Sequence, residues 1–62
     1  MANVWVNARM ILPNDYLVQA GTMARWVYLR TDRLVEVSCV DNTIRTYHAS
    51  AAVLVRRANG RY

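Results

Sequence analysis

The stretch Leu34-Val35-Glu36-Val37-Ser38-Cys39-Val40-Asp41-Asn42-Thr43-Ile44-Arg45-Thr46-Tyr47-His48 decides the fold. Its first seven residues alternate and are rich in β-branched side chains. Asp41-Asn42 interrupts them, and a second alternating run follows. This pattern reads as a β-hairpin. Asp and Asn both tolerate positive φ, so a two-residue primed turn at Asp41-Asn42 is expected. With that turn Cys39 faces Ile44, Val37 faces Thr46 and Val35 faces His48, a mostly apolar set directed at the core. Ser38 with Arg45, and Glu36 with Tyr47, then share the outer face.

Working upstream, Arg25-Trp26-Val27-Tyr28-Leu29-Arg30 is a further strand, joined to the hairpin through Thr31-Asp32-Arg33. The loop length decides which side chains it displays. A three-residue loop sets Leu29 opposite Val35 and Val27 opposite Val37, leaving Trp26, Tyr28 and Arg30 outside with Arg45 and Tyr47. A two-residue loop reverses every side chain. The first pairing is preferred because Val and Leu fill a thin core without polar atoms. Against it, large aromatics are more often buried, and the loop has no glycine.

At the N-terminus, Val4 to Ile11 forms an expected strand with Val4, Val6, Ala8 and Met10 on one side and Trp5, Asn7 and Arg9 on the other. Pro13-Asn14-Asp15 ends it. Residues 16–23 are open to two readings. A short strand and loop is favoured. A helix over about 14–24, capped by Asn14 or Asp15, would instead give an α+β fold on a three- to four-stranded antiparallel sheet. Downstream, Ser50-Ala51-Ala52 suits a short helical turn capped by Ser50. Val53-Leu54-Val55-Arg56 suits a last strand, and 57–62 a flexible tail.

The run from Val35 to Val55 resembles the final hairpin, single helical turn and closing strand of SH3-like small barrels such as Tudor- and KOW-type modules. It covers about a third of the chain. The resemblance implies an all-β fold: a small, five-stranded, strongly bent barrel with one short helical turn before the last strand, binding nucleic acid or protein through strand faces and loops. It transfers no site residue. The chain lacks the glycine-rich entry loop that many such barrels carry.

Size sets further bounds. Sixty-two residues make one small domain, 1–62, of the kind that is marginal unless helped by disulfides, metal or oligomerisation. Cys39 is the only cysteine, and neither it nor His48 has zinc-site spacing. A homodimer, or docking on a larger partner, is therefore expected, with no cofactor and no metal. A Cys39–His48 nucleophile pair would place both side chains inward on adjacent strands, but too far apart in register to touch. Glu36 is expected to pair with an arginine such as Arg45, and the three aspartates fall in turns. No Gly-rich phosphate loop or nucleophile elbow is present, so an enzyme is not expected. No apolar run approaches the roughly 18 residues of a spanning helix. Met1 to Trp5 shows neither the basic region nor the apolar stretch of a signal peptide, and a reducing cytoplasmic setting is expected.

The net charge is +4 and every basic side chain is arginine, eight Arg and no Lys. Guanidinium binds phosphate and carboxylate bidentately and stacks on aromatic rings. The bland reading is a GC-rich genome's codon usage and ordinary solubility charge. The sharper reading places Trp5, Arg9, Trp26, Tyr28, Arg30, Arg45 and Tyr47 on one exposed sheet face, extended by Arg56 and Arg57. Bases stack on such aromatics at about 1–3 kcal/mol each, and arginine adds backbone contacts to DNA or RNA. Trp, Tyr and Arg are also the residues enriched at protein interfaces. Two functions follow: a basic, non-enzymatic nucleic-acid-binding or regulatory module, or an accessory module that docks on an acidic protein surface and modulates a larger enzyme or assembly.

Overall fold

A computed structural model describes residues 2–57. The architecture is all-β: six antiparallel strands in one open sheet, with a single 3-10 turn among the described residues. The strands are β1 (Ala2–Asn7), β2 (Tyr16–Leu17), β3 (Thr22–Leu29), β4 (Leu34–Cys39), β5 (Ile44–His48) and β6 (Ala52–Arg57), in the spatial order β1-β6-β2-β3-β4-β5. There are thus six strands where five were expected. The α+β alternative is overturned, because 14–24 contains β2, a turn and the start of β3. Gly21 closes that turn at φ 71°, its N–H donating to the Leu17 carbonyl at 2.8 Å.

The loop between β3 and β4 has the preferred length. Leu29 pairs with Val35 and Val27 with Val37. Thr31 does the work of the missing glycine: its hydroxyl oxygen accepts the N–H groups of Arg33 and Leu34, each at 3.1 Å. The Leu34 carbonyl accepts the Arg30 N–H at 2.9 Å.

The β4–β5 turn differs from expectation by one residue. Val37 pairs with Arg45 and Val35 with Tyr47, so β5 is rotated relative to the expected register. The reason lies in the dihedrals. A two-residue primed turn needs positive φ at both central residues. Asn42 has it at 69°, but Asp41 does not. The chain uses a three-residue loop, Val40-Asp41-Asn42, with Asn42 as its one left-handed residue, and Cys39 N–H donates across it to the Thr43 carbonyl at 2.9 Å. Two local bonds favour this form. The Asp41 carboxylate accepts the Thr43 hydroxyl at 2.6 Å and the Thr43 N–H at 3.1 Å. These bonds, the hydroxyl's first, hold the Asp41 pKa below its ordinary value. Val40, the first residue of this loop, turns its N–H away from β5 to the Met23 carbonyl of β3 at 3.0 Å.

Two helical expectations also shift. The 3-10 turn is Ala8–Met10, directly after β1, and it ends the strand expected to run to Ile11. Met10 is accordingly exposed rather than aligned with Val4 and Val6. Before β6 there is a reverse turn, closed by Ala51 N–H to the His48 carbonyl at 2.9 Å. Ala51 cannot continue a helix there because its carbonyl accepts the Ala8 N–H, extending the β1–β6 ladder.

The core is thin. Its buried apolar members are Ala8, Ile11, Leu17, Ala24, Val35, Val37, Cys39, Ala49, Val53 and Val55, none larger than Leu or Ile. Both tryptophans lie outside it. In its midst is an ion pair. Asp15 is fully buried and Arg57 nearly so. Arg57 Nε donates to both Asp15 carboxylate oxygens at 3.0 Å, and its Nη2 lies 3.0 Å from Oδ2. The same Nη2 donates to the Met10 carbonyl at 2.8 Å, while Asp15 Oδ2 accepts the Leu12 N–H at 2.8 Å. Arg57 is thus the last residue of β6, where a tail had been expected to begin; 58–62 lie outside the described residues.

Two outcomes test these elements. A domain of this length is worth about 3–9 kcal/mol in total, and breaking a buried ion pair costs about 3–5 kcal/mol. Asp15→Asn or Arg57→Gln should therefore leave the chain near or below its unfolding threshold in urea titration at 25 °C. Arg30→Ala, at an exposed pair, should cost under about 1 kcal/mol. In the hairpin, Asn42→Gly should be tolerated, whereas Asn42→Val should destabilise by about 1–2 kcal/mol. Equal stability of the two variants would contradict the left-handed turn.

Candidate functional site

The residues expected on one face divide among three surfaces, because of the β5 register and the bend in β3. That strand is shared by two groups of strands. Its start pairs with β2 through Thr22 and Met23, and its end with β4. Between them the register shifts at Ala24/Trp26, and Arg25 is the extra residue of a bulge. Bulges bend the strand and increase its twist. Arg25 Nη2 caps the bend by donating to the Val40 carbonyl at 3.2 Å.

The first surface is the outer face of β3, β4 and β5. Trp26, Tyr28 and Arg30 stand on it as expected. Trp26 is 56% and Tyr28 49% exposed. The register brings beside them residues that sequence reasoning had not placed there. Ser38 pairs with Trp26 on one side and Ile44 on the other; Glu36 lies between Tyr28 and Thr46; Leu34 pairs with His48. Ile44 is 62% and Leu34 42% exposed. Arg30 Nη1 donates to Glu36 Oε1 at 2.9 Å. Glu36 therefore pairs with Arg30 and not with Arg45. A shallow depression runs between Tyr28, Leu29, Arg30, Glu36, Ser38 and Ile44. The charges of Arg30 and Glu36 are paired with each other, and the largest exposed apolar side chains are Trp26, Tyr28, Leu34 and Ile44, set among Ser38, Thr46 and His48.

The second surface is the outer side of β1, β6 and β2. Trp5, 59% exposed, pairs with Leu54, and Asn3 pairs with Arg56. Arg56 is already engaged: its Nε donates to Asn3 Oδ1 at 3.0 Å, and its guanidinium lies 5.3 Å from the Tyr16 ring centre.

The third surface is the concave side. Arg45 and Tyr47 turn inward onto it because they pair with Val37 and Val35. Arg45 still reaches solvent, but Tyr47 packs against the core. Arg9 comes from the 3-10 turn and rims an open groove of about 380 Å³ with Ile11, Pro13, Val27, Leu29 and Val35. Arg57 joins no surface, being buried against Asp15. The β5 register also separates the Cys39–His48 pair: Cys39 is buried on the core side, while His48 is exposed on the outer side. Among the described residues, no three His, Cys, Asp or Glu side chains gather as a metal site would require. No helix there is long and apolar enough to cross a membrane.

Two signals could have found this partition. A three-residue loop with a single left-handed Asn is the common alternative to a two-residue turn, and Asp41-x-Thr43 is the side-chain pattern that supports it. The buried role of Arg57 had no comparable sign, since its partner lies 42 positions away.

Tyr47 offers a direct check on the register. Burial raises its pKa above the ordinary 10.0, with Arg45 opposing and not cancelling the effect. A raised pKa means that folding favours the neutral phenol. That stabilisation is full below about pH 10 and is lost as pH rises through the folded-state value. Spectrophotometric titration should show a tyrosine ionising late, and Tyr47→Phe should remove that late phase. No family model, no curated protein and no solved structure matches this chain.

Proposed function

We propose that the chain is a non-enzymatic protein-interaction module, docking through the outer face of β3, β4 and β5 on a larger partner that it modulates. One observation carries this reading: Trp26 and Tyr28 stand exposed beside Ile44 and Leu34 on a single sheet face. Large apolar side chains gathered on one exposed face and rimmed by polar residues are the mark of an interaction surface. The composition is that of an interface centre, rich in Trp, Tyr and Arg, with Trp26 and Tyr28 as anchors. The partner this face suits is a protein surface that is apolar at its centre and acidic at its rim, complementing the chain's charge of +4.

The SH3-like resemblance over 35–55 is part of the same reading. A strand shared across a bulge is compatible with a strongly bent small barrel, which would bind through strand faces and loops. Nucleic acid is the weaker candidate. A phosphate path needs arginines aligned along one groove. Here Arg9 and Arg45 belong to the concave side, Arg56 stacks on Tyr16, and Arg30 pairs with Glu36.

The test compares the wild-type chain with Trp26→Ala and Ile44→Glu, each confirmed as folded by circular dichroism. Both variants should lose, by at least tenfold, capture of a specific partner from lysate of the source cells, while Arg45→Ala keeps it. An oligonucleotide titration read by tryptophan fluorescence should stay flat in low salt. A salt-sensitive fluorescence response abolished by Arg45→Ala or Arg30→Ala would overturn the proposal in favour of nucleic acid. Unfolding on Trp26→Ala would show that the indole belongs to the core.

A further inference from the structure

The open edge of the sheet opposite β5 is β1, and its sequence is its own mirror image. Ala2-Asn3-Val4-Trp5-Val6-Asn7-Ala8 reads identically in both directions about Trp5. We infer that β1 is a self-pairing edge, on which a second copy of this chain adds antiparallel across a two-fold axis at Trp5.

Three independent features meet at this axis. The first is the direction of the backbone groups. Ala8 N–H donates to the Ala51 carbonyl, in register with the pairs Val6–Val53 and Val4–Val55. In an antiparallel ladder, hydrogen-bonded and non-bonded pairs alternate. The even-numbered residues of β1 thus bond to β6, and the N–H and C=O groups of Asn3, Trp5 and Asn7 point to the open edge. A two-fold axis at Trp5 sets Trp5 opposite Trp5 and Asn3 opposite Asn7 of the second copy. These are the residues whose backbone groups are free to bond. An axis between two residues, such as Val4 and Trp5, would set bonding against non-bonding groups, and among the axes that pass through a residue only the one at Trp5 matches like side chains along the whole strand.

The second feature is side-chain matching. On the outer side, amide meets amide at both ends and indole meets indole at the axis. On the core side, Val4 of each copy meets Val6 of the other. Both valines are only half-buried within one chain, so pairing continues the thin core across the axis. Such a contact is isologous and closes after two copies.

The third feature is the lack of any device against pairing. Edge strands are ordinarily blunted by charge, proline or a bulge. From Ala2 to Asn7 there is no charged residue and no proline, and the β1–β6 register runs without a break. The β5 edge, in contrast, carries Arg45.

The site is separate from the Trp26 face, and its test is separate too. Wild-type chain is examined by analytical ultracentrifugation at about 100 µM and below, since the mass of such a dimer depends on concentration. The expected mass is twice the 7.1 kDa of the chain. Two double variants differ only at position 7. Asn3→Glu/Asn7→Glu sets like charges opposite each other at both ends and should weaken self-association at least tenfold. Asn3→Glu/Asn7→Lys sets opposite charges there and should restore it. Both replace exposed side chains, and both leave position 3 able to engage Arg56. Circular dichroism at low concentration checks that each folds. A wild-type monomer at about 100 µM overturns the inference. So does a dimer indifferent to both variants, which would be held by another surface. Loss of partner capture with Trp26→Ala leaves this result untouched.

Discussion

The fold depends on a carboxylate and a guanidinium that meet inside it. Asp15 and Arg57 are brought together by β6 lying between β1 and β2, and their bonds reach outward to Met10 and Leu12. A core of small aliphatic residues cannot by itself position the irregular segment between the 3-10 turn and β2. The ion pair does so by supplying hydrogen bonds to backbone that has no sheet partner there. A buried pair need not exceed an apolar replacement in stability. What it adds here is geometry: one guanidinium fork can satisfy that carboxylate and the Met10 carbonyl together only with the loop folded back onto the end of β6.

The chain's readable parts were those governed by local rules. The alternation of Leu34 to Cys39 marked a strand, and the equivalence of Val27 and Leu29 with Val37 and Val35 gave the β3–β4 register. Thr31 made that loop work by a bond that its identity permits but does not demand. The β4–β5 turn failed on a finer point. Both Asp41 and Asn42 tolerate the left-handed region, and only the bonds between Asp41 and Thr43 select the form in which Asn42 alone adopts it. A single residue of register then moved Arg45 and Tyr47 across the sheet. The 3-10 turn at Ala8 and the ion pair at Arg57 rest on contacts more than 40 positions distant, with Ala51 and Asp15 respectively, and no local pattern announces those.

The same register governs what can be said of function. Eight arginines with Trp and Tyr among them describe a phosphate-binding strip only if they line up. Placed as they are, several arginines serve the protein itself: Arg57 the core, Arg25 the bulge, Arg56 a stacked ring, Arg30 a glutamate. What remains on the outer face of β3 to β5 is a mixed surface whose largest exposed side chains are Trp26, Tyr28 and Ile44. Composition suggested an electrostatic partner, whereas placement favours one recognised by shape and burial, with charge contributing orientation.

The position of β6 has a consequence for how the molecule comes into being. A strand late in the chain fills the gap between two early ones, so among the described residues β1 gains its ladder only when the distant β6 docks beside it. Until then β1 has no ladder partner among the described residues, while β3, β4 and β5 need only their neighbours in sequence. Folding is thereby ordered, with the local three-stranded unit formed from sequence neighbours and closure by distant pairing last. Until β6 docks, β1 offers both of its edges to any other strand, and the speed of that docking decides how long it does so.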